Sequence, residues 1–588
     1  MCFKTAVSET RRQDARATTC ASVFATIYNW FGNISGTSVI VNNQMRRPQI
    51  AIFPAEQMLR PNRLLEALSE LYWVDFVEWA DGKKQLYDAA FLFGVSREKA
   101  VEAASSGLRC LAFIGGQTVP VASASQAVCL SASSCLPQCF RGRTLPDKAI
   151  ERVCPLKPEA GDEVLARKGD DILWLHRKKG VSGIDLVAME PPALADGGYL
   201  FEHFQSGNWL RLLPLLHFLR EVSGWEYPPL RAGFMFDDPN LHWKSYGYVN
   251  YDRLVQDAGR HNYHASFATV PMDGWHVHRG TVSLFQKNQN RLSLLIHGNN
   301  HTPKELARTQ DDTSRLALAA QALQRIERLE RASGLKISRV MAAPHGACSH
   351  DMATVLLRTG FEAACISRGS IMNQNPGTAW TVSVGLNPAE FLGAGLPVIP
   401  RFRLRRGCET EMILAAFLGQ PVIPVGHHEE VAGGLDLLAV LAGALNSTGE
   451  VEWMDMKSIA RSNFCTRREG GVLHVKMYSR KILLKVPQGV NQLCIHRPWL
   501  KDGAAEAVTL RTATGDLALY PSYTGESIAI ISCEEMEVHA IPADAIDPRT
   551  VSLSRTPLWA VARRQLCETR DRLKPLSDKL FGKKKQPR

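Results

Sequence analysis

The sequence has no pair of CxxC motifs, although it carries fourteen cysteines over 588 residues. Thiols this scattered do not make the dense framework of a disulfide-stapled domain, and they read as reduced side chains. The nearest grouping, Cys135 and Cys139, lies in a Ser-rich stretch. No apolar run reaches the roughly 20 residues needed to span a bilayer; Leu435–Asn446 is too short and reads as a buried helix. The apolar stretch Ala21–Phe31 is interrupted and lacks a small-residue cleavage site, so it makes a poor secretory leader. On that reading the protein is expected to be cytoplasmic, with an extracytoplasmic location as the alternative if the start codon is misassigned or export uses another signal. No basic helix or aromatic-basic platform occurs, which argues against a nucleic-acid partner. The two glycines of Phe113–Pro120 fall short of a phosphate loop, and no internal repeat has a fixed period. Nothing in the pattern sets the oligomeric state.

What is present is an ordinary globular composition, 45% hydrophobic and 22% charged. The length exceeds what one hydrophobic core fills, which implies two to four domains. Part of the net charge of +11 sits in Lys583, Lys584, Lys585 and Arg588. These read as a solvated tail, with contact to an anionic surface as the alternative.

The hydrophobic periodicity predicts a multidomain α/β plus β chain. Residues 1–48 have no clear period and are expected to be poorly ordered. In 49–207, short apolar runs alternate with helical stretches, which predicts a small α/β domain on a parallel sheet, more β-like in its second half. An apolar helix in 208–230 is expected to link it to the next domain. From 231 to 463 the alternation of strand and helix resumes, predicting an irregular (β/α) barrel. Its longest helix is read from Leu316, Ala319, Ala320, Leu323, Ile326 and Leu329, stopped by Gly334. Residues 464–550 carry short alternating runs with Gly/Pro punctuation, predicting a β-sandwich. Residues 551–588 read as a closing helix and the basic tail.

Within 231–463, polar residues stand just where apolar strands end. "AGFMF" runs into Asp237, Asp238, Pro239 and Asn240. "LSLLI" runs into His297 and His301, "RVMAA" into Pro344, His345 and Gly346, and "PVIPVG" into His427 and His428. In a barrel of parallel strands these ends surround one mouth, so four clusters converge on one site. Each cluster alone has a plainer reading: Asp-Asp-Pro-Asn is good turn chemistry, and one histidine of the 427–428 pair could simply bond a carbonyl. HxxxH puts two imidazoles on one helical face, a spacing that suits a divalent metal. Trp243, Tyr246 and Trp275 are either core residues or platforms for sugar rings at the mouth.

These motifs, in this order, resemble the polysaccharide deacetylase (NodB-like, carbohydrate esterase family 4-like) superfamily, over about Arg231 to Asn463. The resemblance implies a divalent metal held by Asp238, His297 and His301. That donor set suits Zn2+, with Co2+, Ni2+, Mn2+ or Fe2+ as alternatives. It implies Asp237 as general base and His427 or His428 as general acid, with His427 favoured because it directly follows the strand. Pro344, His345, Gly346, Asn240 and Trp243 would meet substrate, an acetylated polysaccharide or oligosaccharide. Two positions depart from the family. Ala342 stands where an arginine orients the base, and Pro239-Asn240 follow the first motif in place of glycine. The expected activity is metal-dependent removal of N-acetyl or O-acetyl groups from a carbohydrate. The alternatives are a metal hydrolase of another amide or ester, and an inactive carbohydrate-binding protein.

Overall fold

The computed structural model describes residues 45–581, apart from 58–61, 81–85, 106, 123–125, 180–181, 502, 513–516 and 531–533. Most of the segment expected to be poorly ordered, and the basic tail, lie outside the described residues. The chain is a mixed α/β protein with several sheets. Among the described residues no helix is long and apolar enough to cross a membrane.

The N-terminal region builds one nine-stranded sheet. Asp75–Glu78, Gln49–Phe53, Ala89–Val95, Arg109–Ile114 and Ser182–Val187 run parallel in that spatial order. Asp171–Lys179, Asp162–Lys168, Ala127–Leu130 and Thr144–Pro146 continue it with antiparallel pairing. The sheet is therefore mixed, where the sequence predicts a parallel one. The cause is local: Asp162–Lys168 and Asp171–Lys179 are joined by two residues, and so short a connection permits only a hairpin. The apolar helix Leu213–Ser223 buries Leu213, Leu215, Leu216, Phe218 and Leu219 in the same core.

The central sheet is also nine-stranded, and it curls. Its order is Glu390–Leu392, Leu396–Pro400, Ala363–Ile366, Ile337–Ala342, Leu292–His297, Ala265–Thr269, Phe234–Asp237, Pro424–Gly426 and Phe402–Arg403. Glu390–Leu392 runs antiparallel to its neighbour, while the other pairs are parallel. Strands such as Phe234–Asp237 and Ala265–Thr269 are buried at every position, as parallel strands covered on both faces must be. Leu396–Pro400 and Phe402–Arg403 stand near opposite ends of this order, yet only Arg401 separates them in the chain. The bend at Arg401 thus brings the two ends of the sheet together. Helix Asp312–Ser333 is capped by the Asp311 carboxylate and closed by Gly334 in the left-handed conformation, and it lays Ala319, Leu323, Ile326 and Leu329 on the sheet.

Two four-stranded sheets follow, enclosing Leu473, Val475, Leu493, Ile495, Val508 and Val538. The last helix, Leu558–Phe581, returns to the mouth of the curled sheet. Its polarity is inverted: Arg564, Glu568 and Asp571 are buried against the mouth, while Leu566, Leu573, Leu576 and Leu580 face solvent.

Candidate metal centre

Asp237 closes the strand Phe234–Asp237, and Asp238 begins the turn beyond it with φ of 78°. This left-handed backbone is strained for a non-glycine residue, and it separates the two carboxylates. Asp237 is bound by Arg401, whose Nη1 lies 3.0 Å from each of its oxygens. Asp238 instead faces the histidines, with Oδ1 3.0 Å from His301 Nε2 and 3.6 Å from His297 Nε2.

His297 ends the strand Leu292–His297. Its Nδ1 donates to the carbonyl of Ala342 on the neighbouring strand, 2.9 Å away, which turns the Nε2 lone pair toward Asp238. Ala342 thus serves through its backbone carbonyl. His301 is reached by a bent loop and not by a helix, so the expected shared helical face is not what joins the two histidines. Helix formation fails here because His301 adopts φ of 54° and Gly298 φ of 61°. A Cβ on Gly298 would meet Glu305 Oε1 at 2.1 Å and Pro344 Cγ at 2.6 Å, so only glycine fits between the loop and Pro344. The buried Glu305 carboxylate accepts from the backbone N–H groups of Asn299, Asn300, His301 and Thr302, between 2.6 and 3.3 Å. One side chain thereby fixes the whole loop that carries His301.

Ligand atoms of Asp238, His297 and His301 all lie within 4.8 Å of one another. Asp238 Oδ1 is buried and, among the described residues, has no hydrogen-bond donor beyond the imidazoles it faces. A buried carboxylate oxygen without a donor is costly, and one carboxylate with two imidazoles is a set that a divalent metal accepts. The residues present therefore fit such an ion.

The electrostatics agree with the geometry. Burial works to raise the Asp237 carboxyl, but Arg401, His297 and His427 outweigh it and hold it below the usual carboxylate range. Burial likewise opposes ionisation of Asp238, and His301, His297 and Arg564 drive it well below that range. Burial pushes the His297 imidazole down to about 4 against the pull of both aspartates. Two anionic carboxylates beside a neutral imidazole is the state a metal needs.

The 427–428 pair is divided by its surroundings. His427 is half exposed, and its Nε2 lies 3.7 Å from Asp238 Oδ2. Glu430 accepts from its backbone N–H at 2.8 Å. His428 is buried, its ring packed between Tyr246 and Tyr248 and 3.9 Å from Asp571. Of the third cluster, Pro344 and Gly346 are buried, while His345 is exposed 5.4 Å from the His301 ring, with φ of 57°. Asn240 is buried in a network with Asp273 and Arg572. Trp243 and Trp275 are exposed, 61% and 69%, on turns that follow barrel strands, whereas Tyr246 is fully buried.

Three contributors escape the sequence motifs: Arg401, Glu305 and the last helix. Arg564 of that helix donates to both oxygens of Asp273 and to the carbonyl of Asp238, the latter at 2.8 Å. Arg563 donates to the carbonyl of His301 at 2.6 Å. Arg401 had a visible signal, a single cation inside the apolar run "LPVIPRF". The helix had none, because its contacts lie some 260–330 residues away in the chain.

No protein-family model matches the chain, and no curated protein matches it. Solved structures do. The crystal structure of Agd3, a novel carbohydrate deacetylase, is 8% identical, with a TM-score of 0.46 over 84% of this chain and 99% of that one. The Bc1960 peptidoglycan N-acetylglucosamine deacetylase is 16% identical, with a TM-score of 0.23 over 40% of this chain and 89% of its own. A family 4 carbohydrate esterase from Streptomyces lividans is 11% identical, with a TM-score of 0.20 over 38% of this chain and 88% of its own. All three likenesses lie at or below 16% identity and below a TM-score of 0.5.

Proposed function

We propose that the protein is a metal-dependent hydrolase that removes an acyl group, N-acetyl by preference, from a carbohydrate. One observation carries this reading: Asp238, His297 and His301 converge beside an Asp237 already paired with arginine. A divalent ion held there would lower the pKa of its bound water and polarise the acyl carbonyl. Asp237, ionised and gripped by Arg401, takes a proton from the attacking water as general base. Arg401 is a positioning residue: its Nη1 contacts both carboxylate oxygens while its Nη2 is anchored to the Ala343 carbonyl, a task that the Ala342 side chain cannot perform. His427, half exposed and next to Asp238, donates a proton to the departing amine. His428 is enclosed by Tyr246 and Tyr248 and serves the packing of that loop. Exposed Trp243 and Trp275 offer apolar faces on which sugar rings stack, which favours a carbohydrate over a small amide. An inactive carbohydrate-binding protein loses its main support, since an arginine does hold the base.

The test is acetate release from acetylated amino-sugar oligomers by the purified, metal-analysed protein. Stoichiometric metal with turnover supports the reading. Absence of metal in the wild type, or full activity in Asp237→Asn, would overturn it.

A further inference from the structure

A second cluster of ligating side chains lies far from the barrel mouth in sequence, in the C-terminal sandwich. Strands Val472–Met477 and Gln492–His496 pair in parallel, with His474 opposite Cys494 and Lys476 opposite His496. Residues of one parity share a face. Leu473, Val475, Leu493 and Ile495 therefore fill the sandwich core, while His474, Cys494 and His496 line the other face together. That face is sealed: the three are 1%, 0% and 8% exposed. The rings of Trp73 and Trp225 close over His496 at 4.7 and 6.3 Å.

We infer that His474, Cys494 and His496 form a second metal site, for a thiophilic divalent ion such as zinc, at the seam between the sandwich and the N-terminal sheet. Metal–nitrogen bonds of about 2.0–2.1 Å and a metal–sulfur bond of about 2.3 Å, at tetrahedral angles, require N···N near ~3.3 Å and N···S near ~3.6 Å. His474 Nδ1 and His496 Nε2 are 3.2 Å apart, and Cys494 Sγ is 3.5 Å from His496 Nε2. Two of the three donor pairs thus already stand at the separations a tetrahedral ion imposes, and all three donors lie within 4.8 Å of one another. The other nitrogen of His474, Nε2, faces the Glu469 carboxylate at 3.6 Å, an arrangement that leaves the Nδ1 lone pair for the ion. Lys476, on the same face, turns away: its Nζ donates to the Leu71 carbonyl and lies 4.5 Å over the Trp73 ring. The Gly525 carbonyl oxygen, 3.0 Å from Sγ, now accepts the thiol proton. On metal binding that proton leaves to solvent, and the same oxygen is the fourth donor at hand.

The test uses the full-length protein loaded with cobalt. A thiolate–cobalt charge-transfer band that disappears in Cys494→Ser assigns a sulfur ligand to Cys494, whereas the barrel-mouth donors include no sulfur; the result is therefore independent of whether the mouth is catalytic. The expected result is the band in wild type, its loss in Cys494→Ser, and a fall from two bound zinc equivalents to one in that variant, with acyl hydrolysis unchanged. A wild type that shows no band, or a Cys494→Ser variant with the same metal content as wild type, overturns the site and leaves a hydrogen-bonded histidine pair. Should Cys494→Ser fold poorly, His474→Gln, which retains the thiol, must also lose metal without losing its circular dichroism.

Discussion

Two histidine clusters, both carried by strands of parallel pairing, have been given opposite surroundings. At the barrel mouth, Asp238, His301 and His345 all take left-handed backbone conformations, and charge is abundant: two carboxylates, answered by Arg401 and Arg564. His427 is half exposed there, so the site opens to solvent. In the sandwich, His474, Cys494 and His496 lie on paired strands and are buried, and the nearby Glu469 carboxylate faces the far nitrogen of His474 instead of joining the three donors. Burial, with His474 and Lys476, pushes the His496 imidazole down to about 3, and burial raises the Cys494 thiol to about 12. On the two proposals made above, the contrast separates a centre prepared for reaction from one prepared for holding. Strain and compensated charge gather where a group must stay ionised and accessible, and neutral donors in a dry pocket suffice where nothing must enter.

If that contrast is sound, the largest effects belong to the mouth. His297→Ala removes one donor and leaves the buried Asp238 carboxylate less compensated. The expected result is loss of bound metal at the mouth and of acyl hydrolysis to below detection, read by metal analysis and acetate release. Asp237→Asn should retain the metal while kcat falls by about 10²–10⁴, the usual contribution of a general base. Metal loss in Asp237→Asn would instead make Asp237 a ligand and redraw the division between the two aspartates.

The sequence motifs carry the mouth well because the side chains at strand ends are local: a strand that runs into "DD", "HGNNH" or "GHH" delivers its polar residues to one rim whatever the rest of the chain does. Three features resist such reading for physical reasons. His301 reaches its place through a left-handed loop held by Glu305, and a spacing of four residues reads as a helix when nothing marks the turn except Gly298. Arg401 comes from the bend where the two ends of the sheet meet, and no local period reports that closure. The His–Cys–His face is invisible because alternation predicts the odd residues inside the sandwich and the even ones in water; only the docking of Trp73 and Trp225 buries the second face. The mixed pairing of the N-terminal sheet similarly depends on which strands follow one another by hairpin.

A smaller effect tests whether Arg401 belongs to the chemistry or only to the fold. Arg401→Lys keeps a cation but loses the second guanidinium nitrogen, Nη2, whose bond to the Ala343 carbonyl holds Nη1 on Asp237; kcat is expected to fall by about tenfold, roughly 1.4 kcal/mol, with KM and bound metal unchanged. A change confined to KM would mean that Arg401 meets substrate instead of positioning Asp237. Arg401→Met leaves a buried carboxylate unpaired and should cost about 3–5 kcal/mol of stability, measured by denaturant unfolding.

The smallest effect on turnover is expected in the sandwich, and it makes the comparison sharpest. His496→Gln removes an imidazole from the sealed cluster while preserving a polar side chain of similar reach. Acyl hydrolysis should stay within about twofold of wild type, since among the described residues only apolar packing through Trp225 connects this cluster with the strands of the mouth, whereas stability should fall by about 1–3 kcal/mol for an unsatisfied buried partner. Binding to the folded state alone adds stability that grows with metal concentration. Added zinc should therefore widen the gap between wild type and His496→Gln, and a strong chelator should narrow it to the hydrogen-bond contribution. A gap indifferent to both would make the two clusters differ in kind, one a metal centre and the other a packed pair. A loss of turnover would mean instead that the seam holding the sandwich to the N-terminal sheet also sets the shape of the mouth.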